Sequence, residues 1–265
     1  MSNTQVFKNL SGIEYEITHF SGKHQRLVTQ REDGIDAGSF ETILADIILR
    51  VGSVRIDNLP EKERIEFVKS LPSEDRKKVI FQARQFTYEE DSMTFNYSYT
   101  SKKGATKGML LSHEVKIDSI SKMVQETPYP NKSTELKDLL VKFTGVFPIS
   151  KEEYEFTLRD GYSEEVMAND KNPSSHTLIL ANKPVRIQKL NKQGELLKEP
   201  VPNIISKCML DSGLHPRDIE YLRKHIQSVE GRFKSSIGFP HPETGADVVM
   251  DIIQLPAFYL PSMAI

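Results

Sequence analysis

The sequence predicts an α+β fold in two pseudo-repeated lobes, each with helices packed on an antiparallel β-hairpin sheet. Three observations lead there. The hydrophobic period switches between helical and alternating spacing along the chain, so both helices and strands occur. Alternating stretches come in adjacent pairs joined by turns rich in glycine or proline, the signature of antiparallel hairpins. A pattern near the start, Glu14-Tyr15-Glu16-Ile17-Thr18-His19-Phe20-Ser21-Gly22, returns as Glu153-Tyr154-Glu155-Phe156-Thr157-Leu158-Arg159-Asp160-Gly161. Glu, Tyr, Glu, Thr and Gly recur at identical spacing, and a repeat of this kind marks a duplicated module when the elements after it also recur. The expected lobes are residues 1–145 and 146–265, with a linker near 145–152.

In the first lobe, residues 13–20 alternate and read as a strand, followed by a polar Gly/Asp loop at 31–38. Phe40, Ile43, Leu44, Ile47, Ile48 and Val51 recur at helical spacing, with Ser39 at the N-cap position and Gly52 just past the end. Pro60 suits the first turn of a short helix to Lys69. Pro72 and Ser73 precede a further helix with Val79, Ile80 and Ala83 inward. A hairpin spans 92–117. Met93, Phe95, Tyr97 and Tyr99 share one face, Thr94, Asn96, Ser98 and Thr100 the other, and Met109, Leu111, His113, Val115 and Ile117 alternate in return. Helices are expected at about 118–125 and 133–143, the latter with Leu136, Leu139, Leu140 and Phe143 inward.

The second lobe repeats the order. After the Glu153 strand come extra strands near Thr177–Ala181 and Val185–Leu190. Helices follow over 202–231. The first carries the stripe Ile204, Ile205, Cys208 and Met209 and ends near Gly213. The second is opened by Pro216 and Asp218 and carries Ile219, Leu222, Ile226 and Val229. A hairpin over 232–253 turns at Pro240 to Gly245, and an apolar tail closes the sequence.

Composition narrows the function. Hydrophobic residues are 38% of 265, enough for a core. The 35 basic and 37 acidic side chains leave a net charge of -2, and neither half is basic. A surface that neutralises many phosphates is therefore not expected. The single cysteine, Cys208, excludes an intramolecular disulfide and a multi-thiolate zinc site. No apolar leader follows Met1, and the uncharged run Ile252–Ile265 is too short to span a bilayer and is broken by Pro256 and Pro261. The expectation is a protein of a reducing cytoplasm with no membrane partner.

The candidate chemical sites resolve toward structure. The loop Ser101–Gly108, with Lys102, Lys103 and Lys107, could cradle a phosphate, but a strand follows it where a phosphate loop needs a helix. It reads as a solvated hairpin tip whose lysines discourage edge pairing. With Tyr97 and Tyr99 it also offers the alternative of a nucleic-acid or phosphate-binding module. His113-Glu114 lies on a strand and lacks a second histidine one helical turn on. His241-Pro242-Glu243 lacks the paired thiolates of a deaminase site. His19 and His24 have no cysteine partner. Cys208 sits on an apolar stripe, where a free thiol behaves as a small hydrophobe. No nucleophile, base and orienting group form a set. The reading is no catalytic residue, no cofactor and no metal. The tail Pro256-Ala257-Phe258-Tyr259-Leu260-Pro261 either docks on its own domain or presents Phe258, Tyr259 and Leu260 to a partner.

The order of these motifs resembles a known family. It comprises the Glu-Tyr-Glu-Ile-Thr strand and long polar loop, then Leu71-Pro72-Ser73-Glu74-Asp75-Arg76 running into Phe86-Thr87-Tyr88. Val115-Lys116-Ile117-Asp118 and Tyr154 to Gly161 follow, then Pro240-His241-Pro242-Glu243-Thr244-Gly245 and Phe258-Tyr259-Leu260-Pro261-Ser262. Together they are similar to the T-even-like baseplate hub assembly proteins of contractile-tailed bacteriophages. The resemblance covers most of the chain through spaced motifs. It implies a non-enzymatic role in assembling the central hub of a tail baseplate, as a chaperone or a hub-associated subunit. Its partners would be other tail proteins (hub, tape-measure or tube components), met in the host cytoplasm during assembly or in the virion baseplate. Many proteins of this kind carry Cys-x-x-Cys knuckles at the hairpin turns, like zinc ribbons. The turns 101–108 and 240–245 hold no cysteine, so the resemblance implies zinc-ribbon-like hairpins without metal ligands, held by turns and by face packing.

Overall fold

The computed structural model describes residues 3–29, 37–138, 143–168, 186–190, 196–197 and 215–260. Most of the expected loop at 31–38, Leu139, Leu140, the strand Thr177–Ala181, the Cys208 stripe and Pro261 lie outside them. Six α-helices and several antiparallel sheets make up the described part, an α+β fold.

The first sheet runs in sequence order through β1 (Gln5–Lys8), β2 (Glu14–Ile17), β3 (Ile48–Val51) and β4 (Val54–Arg55). Helices α1 (Gly22–Thr29) and α2 (Ala37–Ile47) separate β2 from β3, and α3 (Glu61–Ser70) and α4 (Ser73–Thr87) follow. The hairpin β5 (Met93–Thr100) and β6 (Leu110–Ile117) comes next, then β7 (Gln125–Thr127). The second sheet also runs in order, through β8 (Phe143–Val146), β9 (Glu153–Phe156), β10 (Arg186–Leu190) and β11 (Leu196–Leu197), with α5 (Gly161–Ala168) after β9. The chain then forms α6 (Pro216–Val229), β12 (Arg232–Lys234) paired to β7, and the hairpin β13 (Ser236–Pro240) and β14 (Asp247–Asp251). Two 3-10 turns, Ile252–Gln254 and Pro256–Tyr259, follow.

The two sheets share more than strand order. In the first, Tyr15 pairs with Val51 and Glu16 with Arg50. In the second, Tyr154 pairs with Ile187 and Glu155 with Arg186. Tyr15 and Tyr154 are both buried, as alternation on a strand with one covered face requires.

The hairpin over 93–117, the helix opened by Pro60, the helix from Ser73 and the helix from Pro216 form where expected. Four segments differ. The strand expected at 232–239 breaks at Ser235, because Arg232–Lys234 pairs with β7 and the hairpin itself starts at Ser236. The stripe Phe40–Val51 is not one helix. Helix α2 stops at Ile47, and Ile48–Val51 is strand β3, with Ile48 and Val51 buried. A continuous apolar run fits either state by periodicity, and the open edge of β2 decides it. Ser39 therefore lies inside α2, and Gly52, at φ 57°, turns β3 into β4 while donating its N–H to the Glu14 carbonyl at 2.8 Å. The helix expected at 118–125 is a turn leading into β7, whose pairing with β12 overrides local propensity. The helix expected at 133–143 is a 3-10 turn at Leu136–Asp138, and Phe143 begins β8. The segment 147–152 is the turn between β8 and β9. Strand β1 has no counterpart in the sequence reading.

One buried cluster draws on both halves. Ile13, Tyr15, Ile43, Leu44, Val79 and Ile80 join Phe233, Ile237, Ile252 and Phe258 in it. Among the described residues no helix is long and apolar enough to cross a membrane.

Candidate functional site

Three places carry the residues that the sequence singles out: the start of α4, the paired hairpin tips and the aromatic segment at 255–260. The start of α4 is the most densely bonded. Ser73, Glu74, Asp75 and Arg76 are all buried, with Arg76 and Asp75 fully covered. Acidic side chains suit the first turn of a helix, where free N–H groups leave a partial positive charge. Here each charged group also ties α4 to another element. Asp75 accepts the Ser11 N–H at 3.1 Å and the Ser11 hydroxyl, and Tyr15 Oη donates to it at 3.3 Å. Glu74 accepts the Phe233 N–H of β12 at 2.6 Å and pairs with Lys77 at 2.9 Å. Arg76 donates to Glu41 of α2 and, at 2.6 Å, to Glu164 of α5, and stacks over the Phe40 ring. Ser73 N–H bonds the Arg159 carbonyl at 2.9 Å.

Burial pushes the Asp75 carboxyl up to about 6, against the Ser11 and Tyr15 donors that favour its charged form. Burial also raises Glu41, which the Arg76 charge opposes. Burial carries the Tyr15 hydroxyl well above its ordinary range. These groups are held as scaffold, each facing a partner of the fold. The sequence marks Leu71–Arg76 as a motif without predicting its burial. The signal was present: Arg76 lies on the stripe of Val79, Ile80 and Ala83 at helical spacing.

Helix α6 makes a matching contact. Asp218, buried in its first turn, accepts the Ile149 N–H at 2.8 Å and the Ser150 N–H at 3.0 Å in the β8–β9 turn. Tyr154 bonds His225 at 2.7 Å, and burial pushes its hydroxyl up to about 12.

The hairpins β5–β6 and β13–β14 pack face to face through Phe95, Tyr97 and Phe239, with ring centroids 5.2–6.0 Å apart. Their tips meet. Glu243 accepts the Lys102 N–H at 3.0 Å, and its carbonyl accepts from Lys103 Nζ at 2.9 Å. His241 stands edge-on to Tyr99 at 4.7 Å. So the Lys102 backbone and the Lys103 side chain meet the second hairpin, and Lys102, Lys103 and Lys107 all remain exposed. Tyr97 and Tyr99 stack on each other and face His241, so these rings are engaged within the fold.

The segment 255–260 docks on its own chain. Phe258 and Tyr259 are fully buried, so neither ring faces outward as a partner contact would need. Arg84 donates to the Phe258 carbonyl and, at 3.3 Å, to the Leu260 carbonyl. Tyr88 Oη donates to the Tyr259 carbonyl at 2.6 Å. Tyr259 lies 5.2 Å from Phe20, and Phe258 lies 6.4 Å from Phe81. Beside Arg84 an open depression of about 230 Å³ is lined by Tyr88, Glu90, Asp91, Ile120 and Ser121.

His24 is buried and bonds Asp46 at 3.3 Å, and its Nδ1 accepts the Ser21 N–H. With both ring nitrogens engaged, it caps α1. Burial lowers its pKa. Among the described residues, no three His, Cys, Asp or Glu side chains converge as metal ligands would. No protein-family model, curated protein or solved structure matches the chain.

Proposed function

We propose that the chain is a duplicated module acting as a non-enzymatic assembly factor of a contractile phage tail. In this reading it helps the baseplate hub form through protein–protein contacts. The observation that carries the reading is the use made of Leu71–Arg76, a motif on which the resemblance rests. Its Glu74, Asp75 and Arg76 are consumed by scaffold contacts to Phe233, Ser11, Glu41 and Glu164, so the motif acts as a clasp rather than as reaction chemistry.

The duplication is supported by matched detail. Two four-stranded sheets have the same strand order, with Glu-Tyr-Glu on the second strand and Arg opposite the second Glu. A helix begins at the glycine that closes each pattern, Gly22 and Gly161. A later helix in each half sets a buried Asp on the first hairpin turn of its sheet. A two-stranded hairpin then follows in each half. The zinc-ribbon-like reading of those hairpins is supported by the meeting of their tips, where Glu243 makes the joint.

The test is reconstitution. Purified chain mixed with hub, tube and tape-measure components of its phage should co-migrate with one of them at fixed stoichiometry. Mass spectrometry of virions then separates a retained subunit from a transient chaperone. Co-migration with none of them would remove the reading.

A further inference from the structure

The contacts of Leu255–Leu260 have the form of a bound peptide. Three consecutive carbonyls, of Phe258, Tyr259 and Leu260, are held by two side chains at one helix end, Arg84 in the last turn of α4 and Tyr88 just past it. Two successive rings fill a pocket beside Phe20 and Phe81. Backbone capture with side-chain pockets is how grooves read peptides in trans. The donor also needs an occupant. Arg84 is buried, and among the described residues it donates only to backbone carbonyls (those of the segment and of Ser92) and has its Nε without a hydrogen-bond partner. An emptied groove would leave much of a desolvated guanidinium unpaired, which is costly. The segment joins the body at Gln254, which is exposed at the end of the first of two short 3-10 turns. Pro256 restricts its free conformations, which lowers the ordering cost of docking.

We propose that Leu255–Leu260 is an exchangeable arm, and that the groove of Phe20, Phe81, Arg84 and Tyr88 accepts the same segment from a second copy of this chain. The occupant is fixed by what already sits there: a groove that fits this segment in cis fits it in trans. The inference stands whether or not the assembly role holds. A short tether gives the cis segment an effective concentration of about millimolar. Dilute chain is therefore closed on itself, and reciprocal exchange appears when copies are crowded side by side.

The experiment uses the full chain with a protease site inserted between Gln254 and Leu255, purified intact and then cut. The cut segment should stay with the body on gel filtration, and a labelled peptide of Gln254–Leu260 should replace it. Tyr88→Phe, which removes one donor to the segment, should weaken peptide uptake about three- to tenfold. Light scattering of the uncut chain should give one copy at micromolar concentration. The mass should rise toward two copies near about 1 mM and return to one on adding excess peptide. A cut body that takes up no peptide, folded or unfolded, would overturn the proposal. So would a single-copy mass across the whole range, or a dimer that the peptide leaves intact.

Discussion

Asp75 holds Ser11 by both of its donors: the buried carboxylate takes the Ser11 N–H at 3.1 Å and the Ser11 hydroxyl. This pins the first turn of α4 to the turn between β1 and β2, elements far apart in sequence. Asp218 does the same for the turn between β8 and β9 through two N–H groups. Buried carboxylates that satisfy backbone donors hold a turn in one geometry, at a desolvation cost that for Asp75 shows in its raised pKa.

That cost predicts a pH dependence. Burial raises the Asp75 carboxyl from its ordinary 3.8 to about 6. The folded state then binds this proton more tightly than the unfolded state between those values. Stability from Asp75 is fully present below about pH 4 and is lost as pH rises through about 6, by about 3 kcal/mol. Asp75→Asn cannot titrate. Urea unfolding should show the stability difference, wild type minus variant, falling by that amount across the window. A flat difference would refute the burial argument.

Arg76 pairs with the buried Glu41 oxygen and also holds Glu164. Arg76→Met leaves a buried carboxylate unpaired and should cost about 3–5 kcal/mol. Adding Glu41→Gln removes that charge, so the double variant should be more stable than the single one. Chemical denaturation of the three chains decides it.

Gly22 and Gly161 hold equivalent places in the repeated pattern but different surroundings. A methyl at Gly161 would meet Arg76 Nη1 at 2.6 Å and the Lys69 backbone at 2.9 Å, while Gly22 has open space. Gly161→Ala should destabilise by about 1–3 kcal/mol through overpacking. Gly22→Ala should stabilise by about 0.5 kcal/mol, because alanine loses less entropy in a helix. Thermal unfolding separates the two.

Glu243 joins the hairpin tips through the Lys102 N–H. Glu243→Ala should speed hydrogen exchange of the Lys102 amide about three- to tenfold and leave exchange along β5 and β6 unchanged. Faster exchange throughout the hairpin would place the joint elsewhere.

Much of the frame was legible because it is local. Met93 to Tyr99 alternates cleanly, Pro60 and Pro72 mark helix starts, and the Glu-Tyr-Glu repeat marks two strands. What was not legible depends on distant partners. Ile48–Val51 is a strand because β2 lies beside it, and Gln125–Thr127 is a strand because Arg232–Lys234 pairs with it. The Arg76 contacts join three helices, which no window of sequence contains. The expectation for the aromatic segment carried two readings, self-docking and partner contact. Phe258 and Tyr259 take the first in this structure, and the exchange experiment addresses the second.

The most direct test of the proposed assembly role is to interrupt this gene in the contractile-tailed phage that the proposal implies. Tail lysates examined by electron microscopy should hold no complete baseplates, and the intact gene supplied in trans should restore them. Complete baseplates and normal infectivity without the protein would contradict the account.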